Sequence, residues 1–212
     1  MKQNYQLILD QTIAAECVDG KRPTLLLHAC CAPCSSYVLE YLSKHFAITL
    51  FFYNPNIAPK AEYDFRAAEL LRLVEEMGLS HDVSILHGVY EPERFTAMAN
   101  GLESLPEGGA RCRACYAMRL EEAARVAAER RFDFYTTTLS ISPHKNADWL
   151  NEIGGEMGKR HGVRYLTSDF KKKNGYKRSC ELSVQFGLYR QNYCGCIYSK
   201  NAAEQRENCK ND

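Results

Sequence analysis

Seven of the ten cysteines in this chain fall into three tight groups, Cys30-Cys31-x-x-Cys34, Cys112-x-x-Cys115 and Cys194-x-Cys196, separated by long stretches of ordinary sequence. Thiolates two residues apart can share one metal ion, and groups this distant can be joined only by folding. Cysteines used as small core residues would scatter, and a disulfide framework belongs to shorter secreted chains. In 212 residues the pattern points to iron-sulfur or zinc chemistry. A cubane cluster takes four thiolates and leaves three for a second, incompletely ligated metal, whereas a structural zinc would leave the remainder without a task. Cys30, Cys31, Cys34, Cys112, Cys115, Cys194 and Cys196 are therefore the expected ligands.

Adjacent side chains at a strand end point in opposite directions, so Cys30 and Cys31 are expected to diverge and serve two centres. Arg111 and Arg113, flanking Cys112, are expected to favour its thiolate. Cys31-Ala32-Pro33-Cys34 also has the spacing of a thioredoxin-like redox pair, but such a pair needs no further cysteines. The Cys-x-x-x-Cys-x-x-Cys spacing of adenosylmethionine radical initiators is absent. Cys17, Cys180 and Cys209 stand alone and read as ordinary thiols.

The elements that must carry these groups alternate. Short apolar or β-branched runs at 24–28, 47–53, 83–86, 132–138 and 164–166 predict strands. Between them, helices are predicted over 35–42, 60–77, 115–130 and 147–161. In the second of these, Phe65, Ala68, Leu71 and Val74 fall at helical spacing before Gly78 ends the run. Residues 101–109 read as a loop that delivers Cys112 to a helix start, and the polar tail after Ser199 is expected to fray. This rhythm predicts an α/β fold with a mostly parallel sheet, helices on both faces, and ligands beyond the carboxyl ends of the strands. The first cysteine group falls at such an end.

Hydrophobic residues at 45% and charged residues at 25% are ordinary for a globular domain. One domain over 1–212 is expected, with an N-terminal extension over 1–22 and room from about residue 170 to 212 for a helical part carrying the last cysteine pair. No apolar run of signal-peptide or membrane-spanning length is visible, which places the chain in the cytoplasm with reduced thiols and no membrane partner. The net charge of +1 hides a basic segment from Lys159 to Arg178 in which Asp169 is the sole acid. Lys171, Lys172, Lys173, Lys177 and Arg178 could meet phosphates there, or form an ordinary solvated face.

These residues carry a family resemblance. The run Leu26-Leu27-His28-Ala29-Cys30-Cys31-Ala32-Pro33-Cys34-Ser35 is joined by Tyr53-Asn54-Pro55-Asn56-Ile57 with Glu62-Tyr63 and Arg66. Arg111-Cys112-Arg113-Ala114-Cys115-Tyr116 with Arg119-Leu120, then Thr136-Thr137-Thr138-Leu139, and Tyr189-Arg190-Gln191-Asn192-Tyr193-Cys194-Gly195-Cys196 complete the set. Over residues 24–199 the chain resembles the cobalamin-independent epoxyqueuosine reductases, iron-sulfur enzymes of tRNA modification. Ala58, where many relatives have a larger polar residue, and the stretch before Lys21 depart from the pattern.

The resemblance implies a nucleotide-alpha-hydrolase-like (HUP-like) fold whose phosphate loop is replaced by the cysteine cluster. It also implies reductive removal of the epoxide oxygen from epoxyqueuosine at the tRNA wobble position, with a [4Fe-4S] cluster, a second mononuclear metal taken as iron, and no cobalamin. A ferredoxin or flavodoxin is the implied electron donor. A ligand split of Cys30, Cys112, Cys115 and Cys196 for the cluster, with Cys31, Cys34 and Cys194 for the second iron, is one that the expected divergence of Cys30 and Cys31 allows, since alternation separates the two without fixing which way each goes. Tyr53, Tyr193 and His28 are the candidate proton donors, although a histidine within an apolar strand is more often a satisfied core residue. Asn54, Asn56, Arg66 and Gln191 suit a polar substrate, with Asn-Pro-Asn equally a turn signal. Thr136, Thr137 and Thr138 are candidate phosphate or ribose contacts, or simply good strand formers. Two rivals remain at this level: another iron-sulfur tRNA enzyme such as a sulfurtransferase, and a zinc-stabilised, non-catalytic RNA-binding module.

Overall fold

The computed structural model describes residues 3–208, so Cys209 lies outside the described residues. Five parallel strands form one sheet: β1 (Thr24–His28), β2 (Ala47–Phe52), β3 (Val83–His87), β4 (Phe134–Thr137) and β5 (Arg164–Tyr165), in the order β3-β2-β1-β4-β5. The chain winds outward from β1 in one direction, then returns to β1 and continues in the other. That reversal opens a crevice beyond the carboxyl ends of β1 and β4, where doubly wound sheets bind ligands.

Alternation along β1 sets the two layers. Leu25 and Leu27 face α1 (Tyr5–Glu16), α2 (Ala32–Leu42) and α3 (Lys60–Glu76), while Leu26 faces α5 (Ala110–Glu129) and α6 (Ala147–His161). Between them α4 (Pro92–Ala99) precedes α5, and α7 (Gly175–Gln185) and α8 (Ile197–Asn208) close the chain. Local chemistry sets several helix ends. Asn4 and Asn146 accept from Leu7 N and Trp149 N to cap α1 and α6, and Gly162 ends α6 in the left-handed conformation (φ 74°). Among the described residues no helix is long and apolar enough to cross a membrane.

Three expectations change. The stretch before Lys21 is not an appendage, since α1 buries Leu9 and Ile13 in the main core. The tail does not fray at Ser199, because α8 runs to Asn208. On α3, Phe65 and Leu71 are 46% and 49% exposed, and the buried side is Tyr63, Arg66, Leu70, Leu73 and Val74. The apolar stripe misled because Arg66 turns inward: its guanidinium pairs with Glu62 at 2.7 Å and donates to the Cys194 carbonyl at 3.2 Å, so a residue scored as polar occupies an interior position.

Candidate metal centre

Strand β1 stops at His28, and Ala29 N still bonds Phe51 O (2.9 Å) before the chain turns into α2. Cys31 is the extended N-cap of that helix, Pro33 sits in its first turn, and Ser35 returns both N–H and hydroxyl to the Cys31 carbonyl at 3.2 and 2.8 Å. This turn overrides strand alternation. The Cys30 and Cys31 sulfurs come within 3.6 Å, and with Cys34 all three Sγ atoms lie within 4.8 Å of one another. The expected divergence is thus incorrect, and the ligand split built on it loses its basis. Hydrogen bonds from Cys31 and then Cys34 hold the Cys30 thiol well below its ordinary range, while donating to Cys30 pushes Cys31 up to about 12.

The other thiols arrive from two directions. Gly109 precedes α5, and Gly108 N donates to Cys112 Sγ at 3.3 Å, while one turn on Cys115 is buried against Phe95, Met118 and Cys196. The Cys194-Gly195-Cys196 turn brings its two sulfurs to 3.5 Å, with the Ser199 hydroxyl 3.0 Å from Cys194 Sγ. Gly195 adopts φ 111°, and a Cβ there would stand 2.9 Å from Ile57 and 3.1 Å from Arg66 Nη1, so no larger residue fits. Four thiols, Cys30, Cys31, Cys34 and Cys112, share one apolar cluster; Cys115, Cys194 and Cys196 share another.

The cations are placed differently from expectation. Arg111 Nη1 donates to the carbonyls of Leu102, Glu103 and Leu105 at 3.1, 2.7 and 2.6 Å, which ties down the loop ahead of α5. Arg113 reaches Glu152 at 2.9 Å. Besides Arg66, which acts on Cys31 and Cys30, the cations near the thiols are Lys145 and Arg119, the latter on the same helical face as Cys112 and Cys115, seven and four residues further along α5. Its charge favours the Cys30 thiolate and works against the burial that pushes the Cys115 thiol up. Lys145 is half-buried, with Nζ 5.8 Å from the Tyr116 ring centre. Burial opposes its charge, but Cys194, Tyr116 and Cys30 outweigh that and hold the ammonium above its ordinary range.

Several expected substrate contacts are spent inside the protein. His28 Nε2 donates to the Tyr53 carbonyl (3.1 Å) and Nδ1 accepts from the Thr137 hydroxyl (2.8 Å), leaving neither nitrogen free. Burial, then Arg119, drives its pKa down to about 3, so the ring stays neutral. Asn54 donates to Ala29 O at 2.9 Å and accepts from Arg119. Arg66 anchors the Cys194 turn and lies over the Tyr193 ring at 5.3 Å, with the Gln191 side-chain amide 3.1 Å away. Thr136 bonds Leu166 O at 2.8 Å, and Thr138 sits 3.7 Å from Cys30 Sγ. The Tyr53 hydroxyl accepts from Arg94 at 2.9 Å. Asn56 Oδ1 is buried without a partner.

A cleft of about 1060 Å³ opens between the start of α1, the loop before α6 and Lys171 to Lys173, and no cysteine lines it directly. Tyr116 and Gly108 line it, and both touch the cysteine network, Tyr116 through the cluster of Cys30 and Cys31 and Gly108 through Cys112. The basic segment is partly neutralised: Lys171 pairs with Asp169 (3.0 Å), Lys173 with Asp10 (2.7 Å) and Arg178 with Glu40 (2.7 Å). Lys172 and Lys177 are exposed and meet no carboxylate among the described residues.

The family model described as Epoxyqueuosine reductase QueH matches residues 25–202. The chain belongs to that family. Relatives carrying the same name come from Streptococcus pyogenes serotype M1, 43% identical over 200 residues (93% of this chain, 78% of the relative), and Staphylococcus epidermidis, 43% over 202 (93% and 85%). A relative from Thermotoga maritima is 35% identical over 191 residues, 87% of this chain and 93% of its own.

The donor set fits a metal centre on its own chemistry. All seven thiols are free, three already converge within ligand reach, and thiolates suit iron-sulfur clusters and zinc alike. Arg119, 3% exposed with Nε unpartnered and no carboxylate paired with it among the described residues, is compensated when the surrounding sulfurs carry negative charge. From the sequence Arg119 was only a member of the family motif with no role of its own, and Lys145 and the cleft wall from α1 carried no signal. The signal for the first was present, since Arg119 repeats the helical register of Cys112 and Cys115.

Proposed function

We propose that this chain is an epoxyqueuosine reductase that converts epoxyqueuosine in the tRNA anticodon to queuosine. The observation that carries the reading is the convergence of the Cys30, Cys31 and Cys34 sulfurs at the switch point of the sheet, in a chain of the QueH family. Both carbon–oxygen bonds of the epoxide break, the two carbons form a double bond, and two electrons with two protons release the oxygen as water. A one-electron carrier of the ferredoxin or flavodoxin kind supplies the electrons. When bound, a [4Fe-4S] cluster and a second mononuclear iron would supply single-electron transfer and a Lewis-acid position for the charge that develops on oxygen.

Cys30, Cys31, Cys34 and Cys112 would hold the cluster, and Cys115, Cys194 and Cys196 the second iron, following the two groups in which these side chains pack. Lys145 is the proton donor that the geometry favours, since it is charged, lines the cleft and stands beside Tyr116 and Cys194. Tyr53 and Tyr193 are engaged by Arg94 and Arg66 and do not line the cleft. The wobble base unstacks from a single-stranded loop at little cost and enters the cleft, with Lys172 and Lys177 on the phosphates.

Purification without oxygen, followed by iron, sulfide and zinc analysis and turnover of epoxyqueuosine-containing tRNA with a chemical reductant, tests the reading. About five irons and four sulfides per chain with queuosine formed are the expected result. Zinc without iron and no turnover would leave an RNA-binding module in its place.

A further inference from the structure

Arg66 and Arg119 are both almost wholly buried, yet they are treated differently. Arg66 has Glu62 at 2.7 Å, a full counter-charge. Among the described residues Arg119 has no anionic side chain of Asp or Glu as partner: its Nη2 donates to the neutral Asn54 amide oxygen, whose nitrogen donates to Ala29 O at 2.9 Å, one residue before Cys30, and it also reaches the Cys115 thiol. Arg119 Nε has no protein partner, and no carboxylate pairs with the guanidinium among the described residues. A buried guanidinium left so exposed electrostatically is costly unless something beside it is negative. Helical spacing aims Arg119 along the face that carries Cys112 and Cys115, and the Asn54 bridge ties it to the backbone at Cys30. It therefore acts on a thiol of each group, Cys30 and Cys115.

We infer that Arg119 is a positioning residue whose fixed charge, held by the Asn54 bridge, raises the reduction potential of the metal centre. The inference rests on the iron-sulfur reading above. Each added electron makes the centre more negative, so a cation at fixed distance stabilises the reduced form over the oxidised one, and net charge and hydrogen bonds to sulfur are established levers on such potentials. Asn54 leaves this charge unspent. An aspartate in its place would form a local ion pair and cancel it.

The test is a spectroscopic redox titration of anaerobically loaded protein, with iron and sulfide measured on the same samples. At the potential where the wild type is half reduced, Arg119→Met is expected to raise the oxidised-to-reduced ratio about tenfold, equivalent to about 59 mV for one electron. Arg119→Lys restores most of the shift. Asn54→Asp, which keeps the arginine, moves the potential in the same direction as Arg119→Met and decides the matter alone if the methionine variant does not load. Loaded variants that titrate with the wild type overturn the inference and leave the iron-sulfur reading standing. A wild type that binds zinc and no iron removes both.

Discussion

The thiols at 30–34 and the basic residues at 171–178 are equally dense in sequence, yet the three sulfurs end within 4.8 Å of one another while Lys171, Lys173 and Arg178 end on three separate carboxylates. The difference lies in the backbone. Cys30 to Cys34 occupy a strand-to-helix turn at the switch point, where the chain reverses and the α2 N-terminus favours negative charge. Lys173 and Asn174 instead take positive φ values of 52° and 62°, and α7 then begins, so successive basic heads leave in different directions. A run of one residue type becomes a site only where the fold turns its side chains together.

Removing a convergent thiol should break the most. Cys31→Ser is expected to lose turnover by more than about 100-fold and to lose sulfide with the iron, whereas Cys196→Ser retains sulfide near four per chain and loses about one iron. Full sulfide in Cys31→Ser would show that the three sulfurs do not act together. Next in size, Lys145→Met should lower kcat about 100-fold with metal content unchanged and KM altered little. A KM effect alone would make Lys145 a phosphate contact, closer in kind to the dispersed lysines.

The dispersed side of the comparison is tested by tRNA binding against salt. Replacing Lys172 and Lys177 together with alanine should weaken binding and reduce the slope of log K against log salt by about one per lost contact. Lys173→Ala, already paired with Asp10, should change it less. Equal losses would mean that the ion pairs open on binding and the segment acts as one patch. The smallest effect is expected from Asp10→Asn, which frees Lys173 and tightens binding about twofold, within the range of one exposed ion pair.

Much of the architecture was legible because it follows local periodicity. β1 and α6 coincide with the predicted runs at 24–28 and 147–161, and the other strands differ at their ends by a residue or two. The grouping of Cys30, Cys31 and Cys34 was likewise readable from spacing. What failed had tertiary causes. Phe65 and Leu71 face solvent because Arg66 took the interior, and Cys30 and Cys31 converge because the strand had already ended. Arg111, beside Cys112 in sequence, serves the 101–109 loop, while Arg119 reaches the thiols.

By itself the sequence determined the alternation of strands and helices, the donor chemistry and the family, since these depend on side-chain type and on spacings within a turn or a strand. The tertiary structure alone decided which thiols share a group, which cations stand near them and that α1 walls the cleft. Those outcomes rest on contacts such as His28 with Thr137, 109 residues apart, which exist only once the sheet order has brought β1 beside β4.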